Sequence, residues 1–283
     1  MAAERKSKSS MNAAQRVLTK MESLTTLLFE VRKHVAYITL NRPAVANAVS
    51  LELAQELEEV ARECDESGNV RAVLLTGAGR IFCGGGDKSF AKQEPTQAPT
   101  YLKRVNLFLH SAIQSFATMR APLVVAVNGA AAGYGMSLAC AGDIVIANES
   151  ARFTMDYSRV GSTPGASSTY YLPRIIGLRR TMELALTNRT LTAREAEAIG
   201  LVTRVVPDVQ LLAQAESMAD DLAHGPTRAY GGVKRLLYSA ATNPLYEQME
   251  LENESIADMA RSADAQEGIA AFLANRPPQF NGR

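Results

Sequence analysis

From Leu24 onward the chain alternates short apolar runs with longer amphipathic stretches. Leu28 to Val31 and Val35 to Leu40 are rich in aliphatic and β-branched residues and flank Arg32-Lys33-His34, which predicts a hairpin with a polar tip. Asn41-Arg42-Pro43 ends the second strand, because proline has no N–H to give to a ladder. Ser50 stands as an N-cap with Glu52 in the first turn, and Leu51, Leu53, Leu57 and Val60 share one face of a helix reaching about Cys64. Arg71 to Thr76 predicts a buried strand, followed by the glycine turn Cys83-Gly84-Gly85-Gly86-Asp87. Past a proline-bearing loop at Gln93 to Pro99, a long helix is predicted from about Thr100 to Met119. Then come a strand at Leu123 to Val127, a second glycine turn from Asn128 to Gly135, a short helix from Gly135 to Ala141, a strand at Ile144 to Ala147, and an extended piece at Arg152 to Tyr157. Strands alternating with helices imply right-handed crossovers and a parallel sheet. Beyond Pro207 only helical periodicity remains, over about 208–223, 226–241, 243–261 and 264–274. Such helices have few places to bury their apolar faces within the same core, which predicts an oligomer.

Composition narrows the partners. A chain of 283 residues, 47% hydrophobic and 21% charged, is an ordinary globular protein of one large domain or one domain with an appendage. A formal net charge of +1 gives no electrostatic reason to expect nucleic acid or an anionic membrane. Residues 121–142 carry no charge, but Pro122, Asn128, Gly129, Gly133, Gly135 and Gly142 interrupt them, so they read as strand, turn and helix rather than a membrane span. Cys64, Cys83 and Cys140 have neither metal-ligand spacing nor a disulfide framework, which points to a reducing, intracellular compartment. Residues 1–22 hold Arg5, Lys6, Lys8, Arg16 and Lys20 against Glu4 and Glu22, and read as a disordered or targeting tail. The expected location is cytoplasmic, or the mitochondrial matrix if that segment is a presequence.

The two glycine turns carry the candidate chemistry. Glycine permits positive φ and close approach to a ligand, leaving peptide N–H groups free to face a negative oxygen. Two such turns, each after an apolar strand, can offer one donor apiece to a single oxyanion. The second also opens a helix, whose N-terminus favours negative charge. Gly77-Ala78-Gly79-Arg80-Ile81-Phe82 does not make a dinucleotide fingerprint, because its sixth position is Phe82 and another loop follows in place of a helix.

The order and spacing of several motifs give the chain a resemblance. They are Ile38-Thr39-Leu40-Asn41-Arg42-Pro43 with Asn47-Ala48, Phe82-Cys83-Gly84-Gly85-Gly86-Asp87, Pro122 through Asp143, and Gly161 with Pro164-Gly165. Further on stand Ala193, Glu195 and Ala196 with Gly200-Leu201-Val202, then Glu267-Gly268 through Ala271-Phe272 with Arg276-Pro277. Together they make the chain resemble the crotonase (enoyl-CoA hydratase/isomerase) superfamily from about Leu27 to its end. The resemblance implies an α/β fold: a crotonase-like spiral of ββα units over 23–207 and a C-terminal α-helical trimerisation region over 208–283, assembled as a homotrimer or a dimer of trimers. It implies an acyl-CoA substrate, with coenzyme A arriving as part of the thioester and no tightly bound cofactor or metal. It places the two backbone donors to the thioester oxygen on Gly86 and Tyr134. The CoA nucleotide is expected along Ala44, Val45, Ala46 and the Gly84 turn, with Phe272 touching it from the C-terminal helix. Asp87 lies in the same turn, as a CoA contact or as a brace for the turn backbone.

The chain departs from the hydratases of that superfamily. Their two catalytic glutamates correspond here to Ser137 and Tyr157, and the aspartate used by isomerases and a dehalogenase corresponds to Gly165. A free phenol, with a pKa of about 10, is no general base at neutral pH. Four side chains remain as candidates. Tyr157 can donate a proton, or it is a core aromatic with a satisfied hydroxyl. Asp156 is chemically the better base, but neighbours in an extended segment face opposite sides, so both cannot face a ligand unless the chain bends. His110, on the long helix before Pro122, matches the position of the dehalogenase's catalytic histidine, although a lone helix histidine more often packs or faces solvent. Ser137 can hydrogen-bond substrate or bond back to its own helix. The expected function is acyl-CoA processing through a thioester enolate, by isomerisation, decarboxylation or a specialised hydration or lyase step. The alternative is a non-catalytic CoA-binding or assembly protein on the same fold.

Overall fold

β1 (Leu27–Arg32) and β2 (Val35–Leu40) pair antiparallel across Lys33 and His34, both at positive φ, the backbone that matches the twist of a two-residue hairpin. This computed structural model describes residues 24–283; the expected tail at 1–22 lies outside the described residues. β3 (Ala72–Gly77), β4 (Leu123–Val127), β6 (Ile144–Asn148) and β9 (Arg204–Val206) extend the hairpin into a six-stranded sheet of order β1-β2-β3-β4-β6-β9, parallel from β2 onward. β5 (Ala130–Ala132), β7 (Arg152–Thr154) and β8 (Leu191–Thr192) form a second, three-stranded sheet. The α-helices are α1 (Leu51–Glu66), α2 (Ala98–Thr118), α3 (Tyr134–Cys140), α4 (Ser168–Ile176), α5 (Leu178–Thr187), α6 (Ala193–Ala198), α7 (Leu211–Ala223), α8 (Thr227–Ser239), α9 (Leu245–Met259) and α10 (Ala263–Leu273). The chain is an α/β protein, and among the described residues no helix is long and apolar enough to cross a membrane.

Side-chain alternation divides the large sheet between two cores. Ala36, Ile38, Leu40, Val73, Leu75 and Val125 point toward α1 and α2, where Leu53, Leu57, Leu109, Ile113 and Phe116 meet them. Val35, Ala72, Leu74, Val124, Ala126 and Ile146 point the other way and are covered by Leu211, Ala215, Ala219 and Ala223 of α7. A sheet covered on both faces needs apolar residues at every position, which is why the central strands read as continuous hydrophobic runs. Burying one such aliphatic side chain contributes about 1.5–3 kcal/mol. Ser50 caps α1 as expected, its Oγ accepting from the Leu53 N–H at 3.2 Å.

The helical segment expected from about 208 is thus divided, since α7 closes the sheet and only α8 to α10 lie beyond it. Those last helices leave Leu237, Leu245, Tyr246, Ile256, Phe272 and Leu273 exposed. Lys234 ties α8 back to the core. Its ammonium, in a residue only 8% exposed, donates to the carbonyls of Phe116 at 2.8 Å and Ala121 at 3.3 Å and pairs with Asp143 Oδ2 at 2.7 Å. The same Oδ2 accepts the Leu123 N–H at 2.7 Å, so this pair pins α8 to both ends of the β4–α3–β6 unit.

Candidate functional site

The two glycine turns are stitched together. Cys83 N–H donates to Ala130 O at 3.1 Å and Ala132 N–H donates to Cys83 O at 2.9 Å, a parallel bridge between two loops remote in sequence. Close approach requires glycine at two points. A Cβ on Gly129 would lie 2.0 Å from Arg80 O, and one on Gly135 would lie 2.1 Å from Cys83 O. Gly85, at φ 101, sits with its Cβ direction 3.1 Å from Ala132 O, a backbone conformation that only glycine adopts without strain. Around Gly86, Val49 N–H donates to Gly85 O at 2.7 Å and Asp87 N–H donates to Val49 O at 2.9 Å. Neighbouring peptides thus satisfy the strand-like bridge, and the Gly86 N–H finds no acceptor among the described residues. Tyr134 begins α3 just after Gly133, and the first N–H of a helix has no intrahelical partner.

Next to these turns lies a cluster of hydroxyls. Ser137 Oγ is fully buried and lies 3.0 Å from Tyr157 Oη, 3.0 Å from Gly165 O and 3.2 Å from Gly133 O. Tyr157 Oη is also 3.4 Å from Gly165 O. Burial pushes the Tyr157 phenol above its ordinary value of 10.0, with the hydrogen bond to Ser137 acting the other way. The Tyr134 ring meets the Tyr157 ring edge-on at 5.9 Å and 73°, and burial raises its phenol as well, opposed by the Asn106 amide. The cluster is neutral and keeps its protons.

The chain bends where that choice is made. Asp156 takes φ 52, and its carboxylate accepts from Thr154 Oγ1 at 3.2 Å and pairs with Arg159 at 3.3 Å. Tyr157 therefore joins Ser137, whereas Asp156 turns toward Arg159. His110 is exposed on α2, outside the hydroxyl cluster. Ala44 and Val45 lie in an exposed 3-10 turn, and Ala46 O accepts the Gly84 N–H at 2.8 Å, so this loop and the first glycine turn are joined. Asp87 is a brace: its Oδ2 binds the Arg42 guanidinium at 2.7 Å. Asn47 supports the same loop, donating from Nδ2 to Ala78 O at 2.9 Å and Ile81 O at 2.7 Å. Phe272 is 81% exposed on α10. Tyr170 and Tyr171 border a separate cavity against α8, with Arg174 and Lys234.

Sequence reasoning missed Asn106. Its Nδ2 donates to Leu102 O at 3.1 Å, while its Oδ1 is buried with no hydrogen-bond partner among the described residues, 3.1 Å from where a Gly165 Cβ would stand. The one available signal was a lone asparagine beside the buried Val105–Leu109 face of α2.

The enoyl-CoA hydratase/isomerase family profile matches residues 30–283. The chain belongs to this family. It is similar to the 1,2-epoxyphenylacetyl-CoA isomerase of Escherichia coli (strain K12), 41% identical over 91% of this chain and 98% of that one. Among solved structures it is similar to an enoyl-CoA hydratase from Bacillus anthracis, at a TM-score of 0.86 and 32% identity over 92% of this chain and 100% of that one. An enoyl-CoA hydratase from Polaromonas sp. JS666 gives a TM-score of 0.86 at 31% identity, covering 90% of this chain and 99% of that one. These relatives carry both isomerase and hydratase names, so family membership leaves the reaction to the site itself.

Proposed function

We propose that this chain is an acyl-CoA-processing enzyme that holds a thioester enolate between the N–H groups of Gly86 and Tyr134. The observation that carries this reading is the bridge through Cys83, which clamps two loops together and leaves one N–H on each without an acceptor among the described residues. Each donor of such a hole is worth about 2.7–4 kcal/mol of barrier. A backbone donor makes the side chain at 134 irrelevant to that role, so tyrosine is tolerated there. The loop at Ala44 to Ala46, joined to Gly84, suits the CoA nucleotide.

The positions of the hydratase glutamates are held by Ser137 and Tyr157, which favours chemistry in which the protein gives a proton rather than takes one. Isomerisation of an acyl-CoA is the class named for the Escherichia coli relative, and there the enolate forms by loss of a carbon-bound proton to a base other than these two hydroxyls. Decarboxylation fits, because departure of carbon dioxide leaves its bonding electrons on the thioester without a base. A specialised hydration or lyase step is the third possibility open to the same hole. In decarboxylation, Tyr157, hydrogen-bonded to Ser137, delivers a proton to the carbon that carbon dioxide leaves, and its phenolate takes a proton back from water as product departs. The exposed apolar side chains of α8 to α10 suit assembly as a homotrimer or dimer of trimers, in which Phe272 covers the CoA.

The test pairs turnover across a panel of acyl-CoAs with two variants. Gly86→Pro removes one N–H and is expected to abolish turnover with the fold intact by circular dichroism. Tyr157→Phe is expected to lower the rate at least tenfold. Undiminished turnover in Gly86→Pro overturns the donor assignment, and CoA binding with no product from any thioester favours the non-catalytic reading.

A further inference from the structure

Resting on that reading, we infer that the Tyr134 side chain is a specificity-determining wall that limits the acyl pocket to short acyl groups. The backbone of this residue is assigned to the oxyanion, but its ring has a separate position to account for. One edge of the ring faces Gly86, with Cε2 3.7 Å and Cδ2 3.9 Å from where a Gly86 Cβ would project. The opposite edge faces Gly165, with Cε1 3.2 Å from that residue's Cβ position. The ring thus spans the gap between the first glycine turn and the loop before α4, and it is held edge-on by Tyr157. Gly86 is exposed, whereas Tyr134 is only 8% exposed.

An acyl group whose carbonyl oxygen lies at the Gly86 and Tyr134 N–H groups begins beside the exposed edge of that ring. A short chain ends before the ring, and a longer one collides with it. Packed interiors do not stretch to admit extra methylenes, so length selectivity belongs to this side chain. Replacing it removes the wall and keeps the donor, since the N–H is backbone.

The experiment measures calorimetric affinities of saturated acyl-CoA thioesters, acetyl through octanoyl, for the wild-type chain, Tyr134→Ala and Tyr134→Phe. The wild type is expected to bind octanoyl-CoA at least tenfold more weakly than acetyl-CoA. Tyr134→Ala is expected to raise the ratio of octanoyl-CoA to acetyl-CoA affinity tenfold or more, and Tyr134→Phe, which keeps the ring, is expected to retain the wild-type ratio. Tyr134→Leu gives the same readout should the alanine variant unfold. Equal affinity for short and long thioesters in the wild type, or an unchanged ratio in Tyr134→Ala, overturns the assignment of the wall alone. Failure of every thioester to bind the wild type overturns the acyl-CoA reading with it.

Discussion

A single methyl group on Gly135 offers a sharp test of how the two turns are held. An alanine Cβ there would lie 2.1 Å from Cys83 O, 2.8 Å from Cys83 Cβ and 2.9 Å from Cys83 C. Ordinary contact begins beyond 3.4 Å, so backbone must move by roughly 1 Å, and close-packed interiors do not absorb such a shift locally. The atom in the way is the carbonyl that accepts the Ala132 N–H. The displacement therefore falls on the bridge joining the Gly86 turn to the Tyr134 turn. Overpacking of this kind costs about 1–3 kcal/mol, and with backbone on both sides of the clash the upper end is expected. In a domain of this size each kcal/mol moves the thermal midpoint by about 2–4 °C. A misplacement near 1 Å lowers catalytic rate by about a hundredfold. The assays are urea unfolding followed by circular dichroism and turnover of the best thioester in the acyl-CoA panel. Gly161→Ala is the control, since Gly161 has positive φ but nothing within 4 Å of its Cβ position; it should cost only the backbone strain of about 1–2 kcal/mol and leave turnover unchanged. Wild-type stability and turnover in Gly135→Ala would refute the argument that the bridge sets the donor geometry.

Two further outcomes follow from the buried charges and phenols. Lys234→Met leaves the Asp143 carboxylate, whose pKa burial already raises, without its cation; a loss of about 3–5 kcal/mol in urea unfolding at pH 7 is expected. That loss should shrink at pH 5 and in the double variant with Asp143→Asn, because protonation or removal of the carboxylate abolishes the unpaired charge. The phenols of Tyr157, Tyr171 and Tyr238 are all raised above 10.0, in each case chiefly by burial. The unfolded chain therefore loses these protons first. Stability is full below pH about 10 and falls as the pH rises above it, and Tyr157→Phe should flatten the fall; a urea midpoint independent of pH from 9 to 11 would contradict the burial of these rings.

The first strands, α1 with its Ser50 cap, the long α2 and both glycine turns were legible because each depends on local rules: periodicity of apolar residues, a cap at its proper offset, and glycine where side chains do not fit. Arg42 as the partner of Asp87 and α7 as the cover of the outer sheet face were not, since an aspartate in a turn and an amphipathic helix look the same whatever they touch.

The contest between Asp156 and Tyr157 shows the division most plainly. From sequence alone, two neighbours in an extended piece could not both face a ligand unless the chain bent, and period-two alternation could not say which would turn inward. The tertiary structure decides it, because Asp156 turns at φ 52 to reach Arg159 and Tyr157 is drawn into contact with Ser137 and Gly165. Asn106 belongs to the same category: its unpaired oxygen exists only once α2 is packed against Tyr134 and Gly165. Local sequence determines where the chain bends and which peptides lack partners within their own element, whereas long-range packing determines which side chains share a cavity, and that depends on contacts between residues far apart in the chain.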